Sequence, residues 1–240
     1  MSSVAIAIIC KTPRPGRSKT RLSPPLRPEE CAEISACFIR DLSTTIAALA
    51  EADGGITPYA LYTPAGSEDE LRQLLPGGFR LTSQADGDLG HRLLNGVIDL
   101  LDLGHAGAII VNSDSPTLPL SVLRCAVEAV RCGDQAVLSP ARDGGYTLIG
   151  LSRPHAELFA DIPWSTDVVY EATCARARQA GITVATIDGW YDVDDAQSFA
   201  VLEAELAGIH PPSTAPGLTL QDAPHTRRFV ASRQAAVAAL

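Results

Sequence analysis

The sequence predicts an α/β domain, a three-layer sandwich in which a mostly parallel sheet is covered by helices on both faces. Three observations carry this reading. Short β-branched apolar runs, Val4 to Ile9 and Ala108 to Val111, read as strands buried on both sides. Helical patterns alternate with such runs along most of the chain, the order that gives a parallel sheet. The chain has 240 residues and 46% hydrophobic content, enough for a sizeable core.

Val4 to Ile9 is the first strand. Pro28-Glu29-Glu30 opens a helical pattern running to about Ala50, with acids in the first turn where the helix macrodipole favours them. Ile56 to Thr63 reads as a strand, Ser67 to Leu75 as a helix and Phe79 to Ser83 as a short strand. Leu89 to Leu103 reads as a helix capped by Asp86 or Asp88. Strand Ala108 to Val111, helix Leu120 to Arg131 and strand Ala136 to Leu138 follow. Then come strand Tyr146 to Leu151, helix Thr166 to Gln179, strand Thr183 to Ile187 and a last helix from Asp195 to Leu206. From Gly208 the texture changes to Pro211-Pro212-Ser213-Thr214-Ala215-Pro216-Gly217, a linker composition. Residues 1–207 therefore read as the functional domain and 208–240 as a linker and partly disordered appendage, with Arg227, Arg228 and Arg233 as a candidate partner-binding arm.

A net charge of −9 argues against nucleic acid as a bulk ligand. The apolar runs fall far short of a membrane span, and nothing before Val4 resembles a leader, so the expectation is a cytoplasmic protein without a membrane partner. Six cysteines without a C-x-x-C pair read as reduced thiols, and five scattered histidines give no zinc spacing.

Against that acidic background, Cys10 to Leu22 carries five cations, Lys11, Arg14, Arg17, Lys19 and Arg21, and no acid precedes Glu29. The loop follows the first strand, so its charges fall at the carboxyl edge of the sheet, where open α/β sheets bind ligands. That placement suits a polyphosphate; a solvated basic loop is the alternative. Walker A geometry is excluded, because Ser18 rather than Gly precedes Lys19 and Pro24-Pro25 delays any helix. No G-x-G-x-x-G follows the strand either.

Asp114 ends the strand Ala108 to Val111 at the same edge. A carboxylate beside a phosphate cradle suggests Mg²⁺, which takes one or two carboxylates plus substrate phosphates. Asp192 and Asp194, alternate residues of an extended D-x-D, point the same way and can converge on one ion. The alternatives are a turn before Pro116 for Asp114 and a helix cap for Asp194 or Asp195.

The order of basic loop, Gly87-Asp88-Leu89-Gly90-His91-Arg92, Asn112-Ser113-Asp114-Ser115-Pro116, Asp143-Gly144-Gly145-Tyr146-Thr147, Trp164-Ser165-Thr166 and Asp192-Val193-Asp194 resembles the DUF2064 family of transferases. That family belongs to the GT-A, or nucleotide-diphospho-sugar transferase, superfamily. It is similar to the phospholactate and phosphoenolpyruvate guanylyltransferases. The resemblance covers residues 3 to 205 and implies a Rossmann-like GT-A fold. It implies that Lys11, Arg17, Lys19 and Arg21 hold nucleotide phosphates, with Lys19, Arg21 and Asp114 as the catalytic set. Asp114, Asp192 and Asp194 would bind Mg²⁺ or Mn²⁺. Asp88 and Arg92 would lie near the base or ribose; a capped helix start is the alternative for that motif. Gly144, Gly145, Tyr146 and Thr147 would meet the acceptor, or form only a hairpin turn. Trp164, Ser165 and Thr166 would meet it too, with Ser165 or Thr166 capping the next helix or its free amides binding an anion. The first loop has Gly16 as its only glycine and is stiffened by Pro13 and Pro15, closer to the guanylyltransferase pattern than to glycine-rich sugar nucleotidyltransferase loops.

The expected activity is transfer of a nucleoside monophosphate from an NTP to a small phosphorylated or hydroxylated acceptor. Glycosyl transfer from a nucleotide sugar is the alternative, and a non-catalytic nucleotide sensor the third. Assembly as a homo-oligomer is left open.

Overall fold

The computed structural model describes residues 3–212, 214, 215 and 217–238. Seven strands, β1 (Val4–Lys11), β2 (Ile56–Thr63), β3 (Arg80–Ser83), β4 (Gly107–Asn112), β5 (Ala136–Pro140), β6 (Tyr146–Leu151) and β7 (Val184–Thr186), form one sheet in the order β3-β2-β1-β4-β6-β5-β7. β1 pairs in parallel with β2 and β4, β2 with β3, and β5 with β7. Only β6 runs against its neighbours β4 and β5. The helices among the described residues are α1 (Pro28–Ala52), α2 (Glu68–Arg72), α3 (Leu89–Asp102), α4 (Leu120–Arg131), α5 (Val169–Ala180), α6 (Ala196–Leu206) and α7 (Pro224–Ala238).

The strand period of two sorts the core into two layers. Val4, Ile6, Ile8 and Cys10 of β1 face α1, α4 and α6, whereas Ala5 and Ala7 face the layer built by Leu93, Val97 and Leu100 of α3 and Ala177 of α5. Small alanines on the second side leave room for α3 to lie close, and Gly96 continues that approach, since a Cβ there would stand 2.6 Å from Leu61. The expected three-layer α/β sandwich is thus observed.

Two helices differ from their sequence spans. α2 stops at Arg72, because Leu74 N already bonds Leu71 O in a tighter turn ahead of Pro76. α5 starts at Val169 rather than Thr166. Ser165 has φ 64°, Thr166 Oγ1 turns back to Pro163 O, and Tyr170 N donates to Gly144 O at 2.8 Å. Neither Ser165 nor Thr166 caps this helix. α3 is capped by Asp88, not Asp86: its carboxylate accepts from His91 N at 2.8 Å.

Within 208–240, residues 213, 216, 239 and 240 lie outside the described residues. Residues 224–238 form α7 against α1, burying Phe229 and Val230. The buried carboxylate of Asp41 on α1 accepts from His225 N at 3.1 Å and Thr226 N at 2.8 Å, satisfying two amides of the first turn of α7. Two of the three arginines read as a partner-binding arm serve this packing: Arg227 bonds Leu206 O at 2.7 Å, while Arg233 bonds Pro25 O at 3.0 Å and lies over the Phe199 ring. Among the described residues no helix is long and apolar enough to cross a membrane.

Candidate active site

A cavity of about 890 Å³ opens at the carboxyl ends of the parallel strands. Its position follows from the sheet. β1 delivers the basic loop and β4 delivers Asp114, in register through Ile9 and Asn112. Reversed β6 begins at this edge, so the hairpin between β5 and β6 brings Arg142 and Asp143 here. The segment after β7, tied by a parallel bridge from Ala141 to Trp190, adds Asp192 and Asp194.

The basic loop is fixed along its length. Thr12 N bonds Thr63 O, and the buried Thr12 hydroxyl meets Ser67 Oγ at 2.7 Å. Arg14 turns outward to Glu70, with Nη2 at 2.6 Å from Oε1, and so leaves the cavity. Lys11, Arg17, Lys19 and Arg21 line it. Lys19 is a non-glycine residue with φ 49°, in the left-handed region. That backbone directs its side chain, only 8% exposed, between two carboxylates, with Nζ 2.8 Å from Asp114 Oδ2 and 2.6 Å from Asp194 Oδ1. Burial alone would lower the Lys19 pKa, but Asp114 and Asp194 outweigh it and raise the ammonium above its ordinary value. Arg21 Nη2 holds the other Asp194 oxygen at 2.7 Å. Against the effect of burial, Lys19 and Arg21 keep Asp194 below the ordinary aspartate range.

Asp143, Asp192 and Asp194 each offer an oxygen, and these lie within 4.8 Å of one another. Burial first, then the charges of Asp143, Asp194 and Asp114, push Asp192 up to about 7. Three hard oxygen donors with mutual repulsion are a set that suits a divalent cation of the Mg²⁺ or Mn²⁺ kind. Asp195, by contrast, caps α6, accepting from Ser198 N at 2.8 Å.

The two acid-bearing segments are laced together behind the cavity. Val193 N donates to Asp114 O at 2.9 Å, and Ser115 Oγ donates to Tyr191 O at 2.8 Å. Deeper, the buried Glu205 of α6 accepts from the Tyr191 hydroxyl and from Thr117 Oγ1 at 2.9 Å. The opposite wall is aromatic. Trp164 stands edge-on to Tyr146 at 6.4 Å and presses on α3 so closely that a Cβ on Gly90 would be 2.7 Å from its Nε1.

Most residues expected from the sequence share this cavity: Lys11, Arg17, Lys19, Arg21, Arg92, Asp114, Gly145, Tyr146, Trp164, Ser165, Thr166, Asp192 and Asp194. Three stand apart from its wall. Asp88 is spent on the α3 cap. Gly144, at φ 89°, lies against the Asp167 carbonyl where no Cβ fits, a packing position. The Thr147 hydroxyl is buried and donates to Ser139 Oγ at 2.9 Å. The carboxylate triad joins Asp192 and Asp194 with Asp143, whereas Asp114 reaches Asp194 through Lys19. Sequence reasoning passed over Asp143 and Arg142 as site residues. The signal was their place directly after β5, whose carboxyl end lies at the same edge as that of β4.

This architecture is a GT-A-like α/β fold, and the comparisons agree. The family described as "Uncharacterized protein conserved in bacteria (DUF2064)" matches residues 45–166, and the chain belongs to it. No curated protein matches the sequence significantly. Among solved structures, a protein from Desulfovibrio desulfuricans G20 provisionally described as a nucleotide-diphospho-sugar transferase is 25% identical, with TM-score 0.82, covering 99% of this chain and 98% of that one. CMP:2-keto-3-deoxy-manno-octonic acid synthetase complexed with CTP is 13% identical with TM-score 0.55, covering 86% of this chain and 99% of that one. 4-Diphosphocytidyl-2C-methyl-D-erythritol synthase from Anaerococcus prevotii DSM 20548 is 11% identical with TM-score 0.53 over the same shares, 86% and 99%. The fold is the one these transferases share.

Proposed function

We propose that this chain is a Mg²⁺- or Mn²⁺-dependent nucleotidyltransferase that moves a nucleoside monophosphate from an NTP to a small phosphorylated or hydroxylated acceptor. The observation that carries the reading is the meeting of Lys11, Arg17, Lys19 and Arg21 with Asp143, Asp192 and Asp194 in one cavity at the sheet's carboxyl edge. A density of cations this high suits a triphosphate better than a sugar diphosphate.

In this reading an acceptor oxygen bonds to the α-phosphorus and the bond to the β-phosphate oxygen breaks, releasing pyrophosphate, with the proton of a hydroxyl acceptor passing to solvent. Lys11, Arg17 and Arg21 hold the phosphates, and Lys19 moves from the carboxylates onto the phosphate chain. Asp143, Asp192 and Asp194, beside Asp114, would hold the divalent ion, which would neutralise phosphate charge. Arg92 faces the base or ribose side, where Asp88 sets the start of α3 that carries it. Gly145, Tyr146, Trp164, Ser165 and Thr166 form the acceptor side. Positioning and charge, rather than a protein nucleophile, lower the barrier. Residues 1–207 form the catalytic domain, and 208–240 an appendage that supports it.

Glycosyl transfer from a nucleotide sugar is the second reading, favoured by the likeness to the Desulfovibrio protein, which is described as a nucleotide-diphospho-sugar transferase. The discriminating assay supplies the four NTPs and a panel of nucleotide sugars with Mg²⁺ and mixed acceptors, and identifies the leaving group. Pyrophosphate with a nucleotide-linked product is the expected outcome. Nucleoside diphosphate released from a sugar donor, with no pyrophosphate from any NTP, replaces the proposal with the second reading.

A further inference from the structure

We infer that Lys19 is a resident cation that competes with the divalent metal for Asp194, so that the metal binds tightly only when a polyphosphate draws Lys19 away. The inference rests on the nucleotide-phosphate reading for the identity of the anion, but its core is the geometry of the free protein. The Lys19 ammonium is almost fully enclosed, touches one oxygen of Asp114 and one of Asp194, and is delivered there by left-handed backbone. A surface lysine satisfying stray charge does not need such a backbone. Arg21 takes the second oxygen of Asp194, so both oxygens of that carboxylate are committed to cations.

Asp194 is also one of the three acids whose oxygens converge with those of Asp143 and Asp192. A divalent ion entering that set meets an ammonium bound 2.6 Å from one oxygen of Asp194. Ammonium and metal repel, and the loss of one Lys19 contact must be compensated from elsewhere. A polyphosphate supplies the compensation, since it attracts Lys19 and Arg21 and brings charge for the metal. Lys11 and Arg17 line the same cavity without a carboxylate partner among the described residues, and they offer the anion its first hold. The exchange makes metal and nucleotide mutually dependent, and each raises the affinity of the other.

The test is Mn²⁺ binding to the full chain without nucleotide, followed by the electron paramagnetic resonance signal of free Mn²⁺. Lys19→Met should bind Mn²⁺ at least about tenfold more tightly than the native chain, whereas Lys19→Arg, which keeps the charge, should stay near the native affinity. Lys19→Gln makes the same comparison if Lys19→Met does not fold, and thermal melting of each variant reports folding. Native or weaker Mn²⁺ affinity in a folded Lys19→Met or Lys19→Gln chain overturns the inference. So does Lys19→Arg matching the neutral variants. Because no nucleotide is present, failure here leaves the pyrophosphate assay to judge nucleotidyl transfer separately, and failure there leaves this exchange intact.

Discussion

Asp41 and Asp192 are both withdrawn from water, and the protein treats them in opposite ways. Asp41, on the outer layer of the sandwich, accepts from two backbone amides of α7. Burial raises its pKa, and the amide donors of Thr226 and His225 oppose that rise. Asp192 sits at the sheet's carboxyl edge among Asp143, Asp194 and Asp114, and those three acids add to the effect of burial, which Lys19 opposes only in part. A carboxylate closed by neutral donors ties two helices together. One left facing like charges stores repulsion that a cationic ligand relieves, the usual arrangement at a functional site.

That contrast is broken most sharply by one substitution on each side. Asp194→Ala should lower turnover by on the order of a thousandfold, the scale of a lost electrostatic group in a dry site. Steady-state kinetics with the best NTP found and Mg²⁺ measures it. Its thermal midpoint should stay within about 4 °C of the native chain, because the change also removes a like charge from Asp192. Full activity in this variant removes Asp194 from the chemistry.

Ending the chain at Leu206 strips α7 from α1, exposes the surface that covers Phe229 and Val230, and takes both amides from Asp41. The loss should be about 3 kcal/mol or more by chemical denaturation. Nucleotide binding by calorimetry should persist, since among the described residues none beyond Ser198 lines the cavity. A chain of this kind that is as stable as the native one would leave α7 without a structural role. Asp41→Ala is the narrower version. It leaves α7 in place and should cost about 1–3 kcal/mol with nucleotide affinity unchanged.

How far these two regions were legible in the sequence follows from the range of the interactions that build them. The basic loop and Asp114 could be assigned to one edge because each directly follows an apolar strand, and parallel strands send their carboxyl ends the same way. Asp143 follows the β5 run just as directly, but in the sequence it reads only as part of a hairpin turn, because its convergence with Asp192 and Asp194 depends on the long-range bridge from Ala141 to Trp190. Trp164-Ser165-Thr166 looked like a helix start, but the helix is delayed because Tyr170 N is claimed by Gly144 O from another hairpin. α7 lay hidden behind a proline-rich stretch, and its anchor joins residues 185 positions apart. Local charge was readable; the partners that neutralise it or leave it exposed were not.

The smallest effect is the pH dependence of stability carried by Asp41. Its folded pKa is raised above the ordinary aspartate value, so between the two the folded state binds more proton than the unfolded state. By linkage, its contribution favours folding at low pH and falls as pH rises from the ordinary value through the raised one. Denaturation midpoints measured from about pH 3 to about pH 6 should therefore decline less steeply, or rise more, in Asp41→Asn than in the native chain. The difference between the two profiles isolates Asp41, because the carboxylates at the cavity are common to both proteins. Parallel profiles would mean that the α7 amides fully offset burial at Asp41, and the contrast with Asp192 would then rest on geometry alone.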